Sequence, residues 1–250
     1  MKKIIPCLDI KNNRVTKGIE FVDLRDAGDI VENACRYEKE GADEIVMLDI
    51  TATTDTRENE LLEKLSEVAN KINIPITLGG GISTTEQIGR ILKAGATRVG
   101  INSAAINNPE LLKTASEKFG KEAICSAIDV MFNGEFYEVY THGGQKGTGL
   151  EVVEWSKKVE SLGAGSILLT SITDDGKKDG YDIKVTKLVS QAVSIPVIAS
   201  GGAGKKEDFL EVFQNTEVES ALAASVFHFG EINIKELKEY LRENKIEVNL

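Results

Sequence analysis

The sequence predicts an α/β fold, a single (β/α)8 TIM barrel built from two similar half-barrels, and three observations carry that reading. Apolar strand-like runs alternate with amphipathic helical stretches from one end of the chain to the other, as expected of a parallel sheet covered by helices. A length of 250 residues is the usual size of one such barrel and allows one large core. The chain also repeats itself. KIIPCLD at 3–9 is answered by AICSAID at 123–129, IVMLDIT at 45–51 by ILLTSIT at 167–173, and IPITLGGG at 74–81 by IPVIASGG at 195–202. The spacing is steady, 120 residues from Asp9 to Asp129 and 121 from Pro75 to Pro196. A short βαβ repeat also suits a doubly wound open sheet, but halves with matching strand ends favour the closed, symmetric barrel. One domain over 1–250 is expected, with half-barrels of about 1–120 and 121–250.

Eight strands are expected, at 3–9, 44–50, 74–79, 98–102, 123–129, 166–171, 196–200 and 220–224. Strand alternation puts Cys7 on the face of Asp9 and Cys125 on the face of Asp129, pointing into the interior. The segment 11–29, containing NNRVTKGIEF, is too polar and irregular for a core element. A loop of that length after the first strand, on the face where barrel active sites lie, is a candidate mobile lid. Leu61, Leu62, Leu65, Val68, Ala69 and Ile72 recur at helical spacing, as do Ile88, Ile91 and Leu92. Gly41, Gly95 and Gly163 follow helical stretches and suit positions just past a helix end that need positive φ. The stretch 132–147 reads as a β-hairpin in the matching place of the second half, and Ser225-Val226-Phe227-His228 as a short extra helix after the last strand.

Composition narrows the partners. A formal charge of −10 argues against a nucleic-acid or anionic-membrane surface. It permits a small phosphorylated substrate held by local N–H groups and a few cations. No apolar run approaches the roughly 20 residues needed to span a bilayer, and the N-terminus lacks a signal-like hydrophobic segment. The three cysteines, Cys7, Cys35 and Cys125, make a poor disulfide framework and suit reduced thiols in a cytoplasmic protein. His142 and His228 are far apart, and without paired Cys or His spacing no metal site is expected. Nor is a cofactor.

The chemistry concentrates at strand ends. Asp9 and Asp129 close strands one and five of eight, so barrel closure sets them on opposite sides of one mouth. Two carboxylates facing each other across a substrate suit general acid and base roles. Gly79-Gly80-Gly81 and Gly201-Gly202 end strands three and seven, while Asn102-Ser103 and Ala224-Ser225 end strands four and eight. Glycine there lets a phosphate approach the backbone, and helix-start N–H groups complete a cradle. Two copies point to a ligand with two phosphates. Thr170, Asp175 and Gly176 lie at and beyond the end of strand six, facing the same mouth, and Lys17 in the lid segment suits an anion clamp. His228, in the apolar stretch VFHF, reads as packed or hydrogen-bonded rather than catalytic.

Together PCLDIKNNRVTKG, LDITAT, GGGI, INSAA, AIDV, LLTSI, DDGKKDGYD, IASGGAG and AASVFHF resemble the cyclase subunits of imidazole glycerol phosphate synthases, over essentially the whole chain. The resemblance implies a two-half (β/α)8 barrel. It takes ammonia from a glutaminase subunit, as a heterodimer, and a bisphosphorylated ribulosyl intermediate of histidine biosynthesis. The products are imidazole glycerol phosphate and an aminoimidazole carboxamide ribotide. It implies Asp9 and Asp129 as the acid/base pair, one phosphate near Gly81, Asn102 and Ser103, and the other near Asp175, Gly176, Gly202, Ala224 and Ser225. Lys17 becomes the lid lysine. At the opposite face it implies an ammonia entrance formed by Lys3, Glu44, Arg98 and Ser166, where Ser166 replaces the usual glutamate and leaves two cations facing one carboxylate. Thr97 stands in place of an aspartate that communicates with the glutaminase, Glu20 in place of an uncharged amide, and Lys177 in place of a threonine. The related histidine-pathway isomerase and an ammonia-conduit paralogue are the competing readings. The SGGAG, VFHF and TSI sequences favour the cyclase over the isomerase, and both aspartates count against a mere conduit.

Overall fold

A computed structural model describes the chain except residues 13, 20–21 and 51–54; the side chains of 17–27 and 51–57 also lie outside the description. β1 (Lys3–Lys11) runs into β2 (Arg14–Ile19) and β3 (Val22–Gly28), then helix α1 (Ile30–Lys39). Next come β4 (Ile45–Asp49), α2 (Asp55–Ala69), β5 (Ile76–Gly79), α3 (Thr85–Lys93), β6 (Arg98–Ile101), the short α4 (Ser103–Asn107) and α5 (Glu110–Phe119). The order then recurs: β7 (Ile124–Phe132), β8 (Tyr137–Thr141), β9 (Lys146–Glu151), α6 (Val152–Ser161), β10 (Ser166–Ser171) and α7 (Ile183–Ala192). It closes with β11 (Val197–Ser200), α8 (Lys206–Asn215), β12 (Ser220–Ala223), the short α9 (Ser225–His228) and α10 (Ile234–Glu243).

The strands β1, β4, β5, β6, β7, β10, β11 and β12 pair in that order, all parallel, and β12 returns to β1. The barrel is closed. β1 and β7 stand four strands apart in either direction, which puts them on opposite walls. Inside, Ile5, Cys7, Val46, Cys125, Leu168, Ile198 and Leu222 form a buried apolar cluster, so both thiols point inward as alternation predicts. The other strand face packs on the helices, where Ile4, Leu8, Ile45, Met47, Leu65, Phe209 and their neighbours form a second, larger core. Each such side chain contributes about 1.5–3 kcal/mol when fully buried. Local signals agree with the packing. Asp29 caps α1 through Val31 N and Glu32 N, Thr84 and Gln87 form a capping box on α3, and Gly41, Gly95 and Gly163 have φ of 94°, 114° and 93°.

Two expectations change. Residues 11–29 contain a hairpin, not an irregular loop: β2 pairs antiparallel with β1 and with β3. The polar sequence hid it. Val15 is fully buried in the larger core, and the β-branched residues Thr16, Ile19 and Val22 suit strands by type. Consequently β1 runs past Asp9 to Lys11, as β7 runs past Asp129 to Phe132 into the hairpin β8–β9 expected at 132–147. Among the described residues eight helices cover the barrel, and the short α4 and α9 are additional. The second of these spans Ser225–His228 as read from sequence; the first was not foreseen.

Candidate active site

The C-terminal ends of the barrel strands gather the acids. Asp9 pairs in register with Leu48 of β4, two residues beyond Cys7, whose Sγ lies 3.6 Å from Asp9 Oδ1. Across the mouth, Asp129 pairs in register with Thr170 of β10 and accepts a 2.9 Å hydrogen bond from Asn102 Nδ2. Asp9 is 6% exposed and Asp129 partly exposed. Burial pushes the Asp129 carboxyl up to about 6; the Asn102 hydrogen bond opposes the rise and the nearby Asp175 charge adds to it. A carboxyl in that range exchanges protons readily near neutrality.

The glycine clusters have a structural cause that the sequence did not reveal. A Cβ on Gly80 (φ 113°) would sit 2.2 Å from the carbonyl oxygen of Asp49, and one on Gly201 (φ 90°) 2.5 Å from that of Ser171. Asp49 and Ser171 are corresponding ends of β4 and β10, so both halves fold the loop back on the preceding strand in the same way. Gly202 (φ 104°) is tighter still, its added Cβ 1.9 Å from Gly180 O, and Gly180 N donates to Gly202 O at 2.9 Å. This clamps the 174–180 loop, with Asp175 and Gly176, onto the Gly201-Gly202 loop. Gly81 (φ 63°) is exposed.

The starts of α4 and α9 are also duplicated. Asn102 (φ −114°, ψ −98°) and Ala224 (φ −120°, ψ −74°) precede Ser103 and Ser225 in similar unusual conformations, and neither helix start has a side-chain cap. Ser103 Oγ accepts a 3.1 Å hydrogen bond from His142 N at the tip of the β8–β9 hairpin, which leaves the hydroxyl proton available to a ligand. Thr170 and Ser225 are partly exposed at the same mouth. Lys17 lies on β2 with its side chain outside the described residues, and Glu20 lies outside them altogether.

About 20 Å away along β1, six residues at about 3.3 Å each, the N-terminal face carries a different cluster. Glu44, 2% exposed, takes both cations: Lys3 Nζ lies 2.6 Å from Oε1, and Arg98 reaches Oε2 at 3.0 Å and Oε1 at 3.3 Å. Ser166, 4% exposed, sits on β10 opposite Cys125 in register and takes no part in this pairing. Two cations therefore share one carboxylate through its two oxygens. Thr97 Oγ1 is used locally, accepting from Ile76 N and donating to Ile76 O.

Residues 3–233 match the family model described as "Histidine biosynthesis protein". The chain belongs to the histidine biosynthesis protein family. Among relatives in that family it is similar to the imidazole glycerol phosphate synthase subunit HisF of Hydrogenobaculum sp. (strain Y04AAS1), 56% identical over 250 residues, covering 100% of this chain and 99% of the relative. It is similar to the proteins of the same name from Thermococcus onnurineus and Pyrococcus furiosus, each 54% identical over 249 residues and covering 100% of this chain and 98% of the relative.

Three groups in this histidine biosynthesis family member escaped sequence reasoning. His142, at φ 55°, reaches Ser103 through its backbone, which no side-chain pattern signals; the adjoining Gly143-Gly144 turn was the available hint. Tyr37, fully buried on α1, lies 2.7 Å from His228 Nδ1, and looks in sequence like any core aromatic. Lys238 of α10, 2% exposed, reaches Asp43 at 2.8 Å, and Asp43 also accepts from Ile4 N, so a buried ion pair ties the last helix to the first strand. Among the described residues, no group of three or more His, Cys, Asp or Glu side chains could hold a metal ion, and no helix is long and apolar enough to cross a membrane.

Proposed function

We propose that the chain catalyses the cyclase reaction of imidazole glycerol phosphate synthesis. Ammonia adds to the ribulosyl carbonyl of a bisphosphorylated carboxamide intermediate and water leaves. The nitrogen so introduced closes onto the formimino carbon to complete the imidazole, and the bond from that carbon to the ribotide amine breaks, giving imidazole glycerol phosphate and the aminoimidazole carboxamide ribotide. One observation carries the reading: Asp9 and Asp129 face one mouth from opposite walls of a closed barrel, at repeat-related positions. Imine formation, ring closure and bond cleavage each need a proton given or taken, and a carboxyl on either side of the substrate supplies both. With its carboxyl pushed to about 6, Asp129 is placed to change protonation state during turnover. The names of the relatives support this cyclase assignment over the histidine-pathway isomerase.

The chain divides into half-barrels of about 1–120 and 121–250, each supplying one acid and one phosphate half-site. Gly81, Asn102 and Ser103 form one half-site; Asp175, Gly176, Gly202, Ala224 and Ser225 form the other, with Thr170 between them and Lys17 closing over the substrate. Holding both phosphates fixes a flexible chain in a reactive conformation. Ammonia must arrive unprotonated. The Lys3–Glu44–Arg98 cluster and Ser166 form its entrance, and the apolar interior from Ile5 to Leu222 keeps the passage dry. A glutaminase subunit docks on that face as the ammonia source, in the cytoplasm.

Turnover of the purified chain with the bisphosphorylated substrate and excess ammonium at alkaline pH, without partner, tests the proposal. Formation of both products is expected. Binding of substrate without turnover under these conditions would overturn the assignment.

A further inference from the structure

His228 ends α9, the four-residue helix that begins at Ser225, and its Nδ1 lies 2.7 Å from the hydroxyl of Tyr37. Tyr37 is fully buried on α1, and burial keeps its phenol protonated well beyond the working pH range. The pair sits in an aromatic nest. Phe227 meets the Tyr37 ring edge-on at 6.5 Å, the His228 ring is tilted against Tyr37 at 5.8 Å, Phe209 packs on Phe227 at 5.8 Å, and Arg36 stacks on Tyr37 at 4.6 Å. Apolar contacts set the distance of α9 from the barrel but tolerate rotation about its axis. A directed hydrogen bond from the far end of a one-turn helix does not. It fixes the turn that presents the backbone at Ala224 and Ser225 to the mouth.

The internal repeat supplies a control within the molecule. Aligning INSAAI (101–106) with AASVFH (223–228) places Ile106 where His228 stands, and aligning α1 with α6 places Val159 where Tyr37 stands. Both replacements are apolar, Val159 fully buried and Ile106 partly so. One half-site therefore rests on a helix held by a directed polar contact, and the other on a helix whose matching positions cannot make one. α1 also follows directly on β3, the second strand of the hairpin that bears Lys17. The same hydrogen bond thus joins the helix behind that hairpin to the helix under the phosphate half-site.

We propose that Tyr37 is a positioning residue for the phosphate half-site at Ala224-Ser225, acting through His228 on the orientation of α9, with no counterpart at the Asn102-Ser103 half-site. This rests on the cyclase reading, in which each product keeps one of the two phosphates. The test is Tyr37→Phe in the full chain, which keeps the ring and removes only the hydroxyl. Calorimetric titration with each product, imidazole glycerol phosphate and the carboxamide ribotide, is combined with steady-state turnover. Loss of one hydrogen bond is expected to weaken one product about three- to tenfold and raise KM by a similar factor, with the other product and kcat within about twofold. His228→Asn, whose amide oxygen takes the place of Nδ1, is expected to retain near-normal affinity for both products. Equal weakening of both products, or no change in either, would overturn the inference. A wild-type chain that binds neither product would instead overturn the cyclase reading, and the inference with it.

Discussion

The two halves of the barrel present the same acid at the same strand position and surround it differently. Asp9 stands two residues beyond Cys7, whose thiol lies 3.6 Å from it; Asp129 has Ala127 in that place, and Cys125 lies one step deeper. Asp129 takes a 2.9 Å hydrogen bond from Asn102, and the nearby Asp175 raises its affinity for a proton. The residue matching Asn102 in the other half is Ala224, which has no side-chain donor to offer Asp9. The repeat therefore sets the two carboxylates at matching positions, and their neighbours differ. A substrate with two similar ends but one reacting centre needs that combination: symmetric grips and asymmetric chemistry.

The comparison breaks most sharply at the acids themselves. Asp9→Asn and Asp129→Asn are each expected to lower kcat by about 10²-fold or more while leaving substrate affinity within about tenfold, because the proton transfers are lost and the phosphate contacts remain. Ammonium-supported turnover and substrate titration of both variants decide this. Near-normal kcat in either one would remove that aspartate from the acid/base pair.

The barrel and the positions of its acids were legible because they follow from local alternation and from the internal repeat. Alternation along 3–9 and 123–129 sends every second side chain inward, and the 120-residue repeat places the two acids on opposite walls once the barrel closes. The hairpin at 14–28 was not legible, since its polar strands leave the barrel and pair at its edge, where the usual apolar alternation is absent. Nor was the reason for the glycines. Gly80 and Gly201 answer a backbone carbonyl contributed by another strand, a contact that exists only after folding. The Glu44 cluster shows the same limit. Counting charges gives a cation in excess, and it does not show that both cations reach the one carboxylate through its two oxygens.

Stability sharpens the contrast next. A carboxyl at about 6 in the folded chain, against an ordinary 3.8, means that the folded state holds a proton which the unfolded state releases between those values. Asp129 therefore costs stability as pH rises through that window, with the full penalty above about pH 6 and none below about 3.8. Its upper bound is about 3 kcal/mol. Asp129→Asn removes the ionisation and keeps an oxygen for Asn102 Nδ2, so its thermal midpoint should exceed that of the wild type at pH 7–8 and converge with it near pH 4. A midpoint below the wild type at pH 7–8 would show that the charged carboxylate is stabilised in the fold, contrary to the desolvation account.

A smaller effect isolates the neighbour. Asn102→Ala takes away the hydrogen bond that holds the Asp129 carboxyl down, so its proton affinity rises. The limb of the pH–rate profile belonging to Asp129 should move to higher pH, measured at constant free ammonia so that the nucleophile does not titrate with the enzyme. An unmoved limb would assign that ionisation elsewhere.

The N-terminal face offers the finest test. Ser166 stands at the same end of the barrel, at the start of β10 opposite Cys125, and takes no part in the Lys3–Glu44–Arg98 pairing, so one carboxylate organises the proposed entrance from one side only. Ser166→Glu would give Arg98 or Lys3 a second partner and divide their attachment to Glu44. The acids are about 20 Å away at the other end of the strands, so turnover with added ammonium should be unchanged. With a glutaminase partner present, the fraction of hydrolysed glutamine that ends in product should rise, because a ring closed from both sides admits ammonia from the docked subunit and loses less to solvent. If ammonium-dependent and glutamine-dependent rates both stay as in the wild type, the single carboxylate already seals the entrance, and the serine there is a neutral replacement.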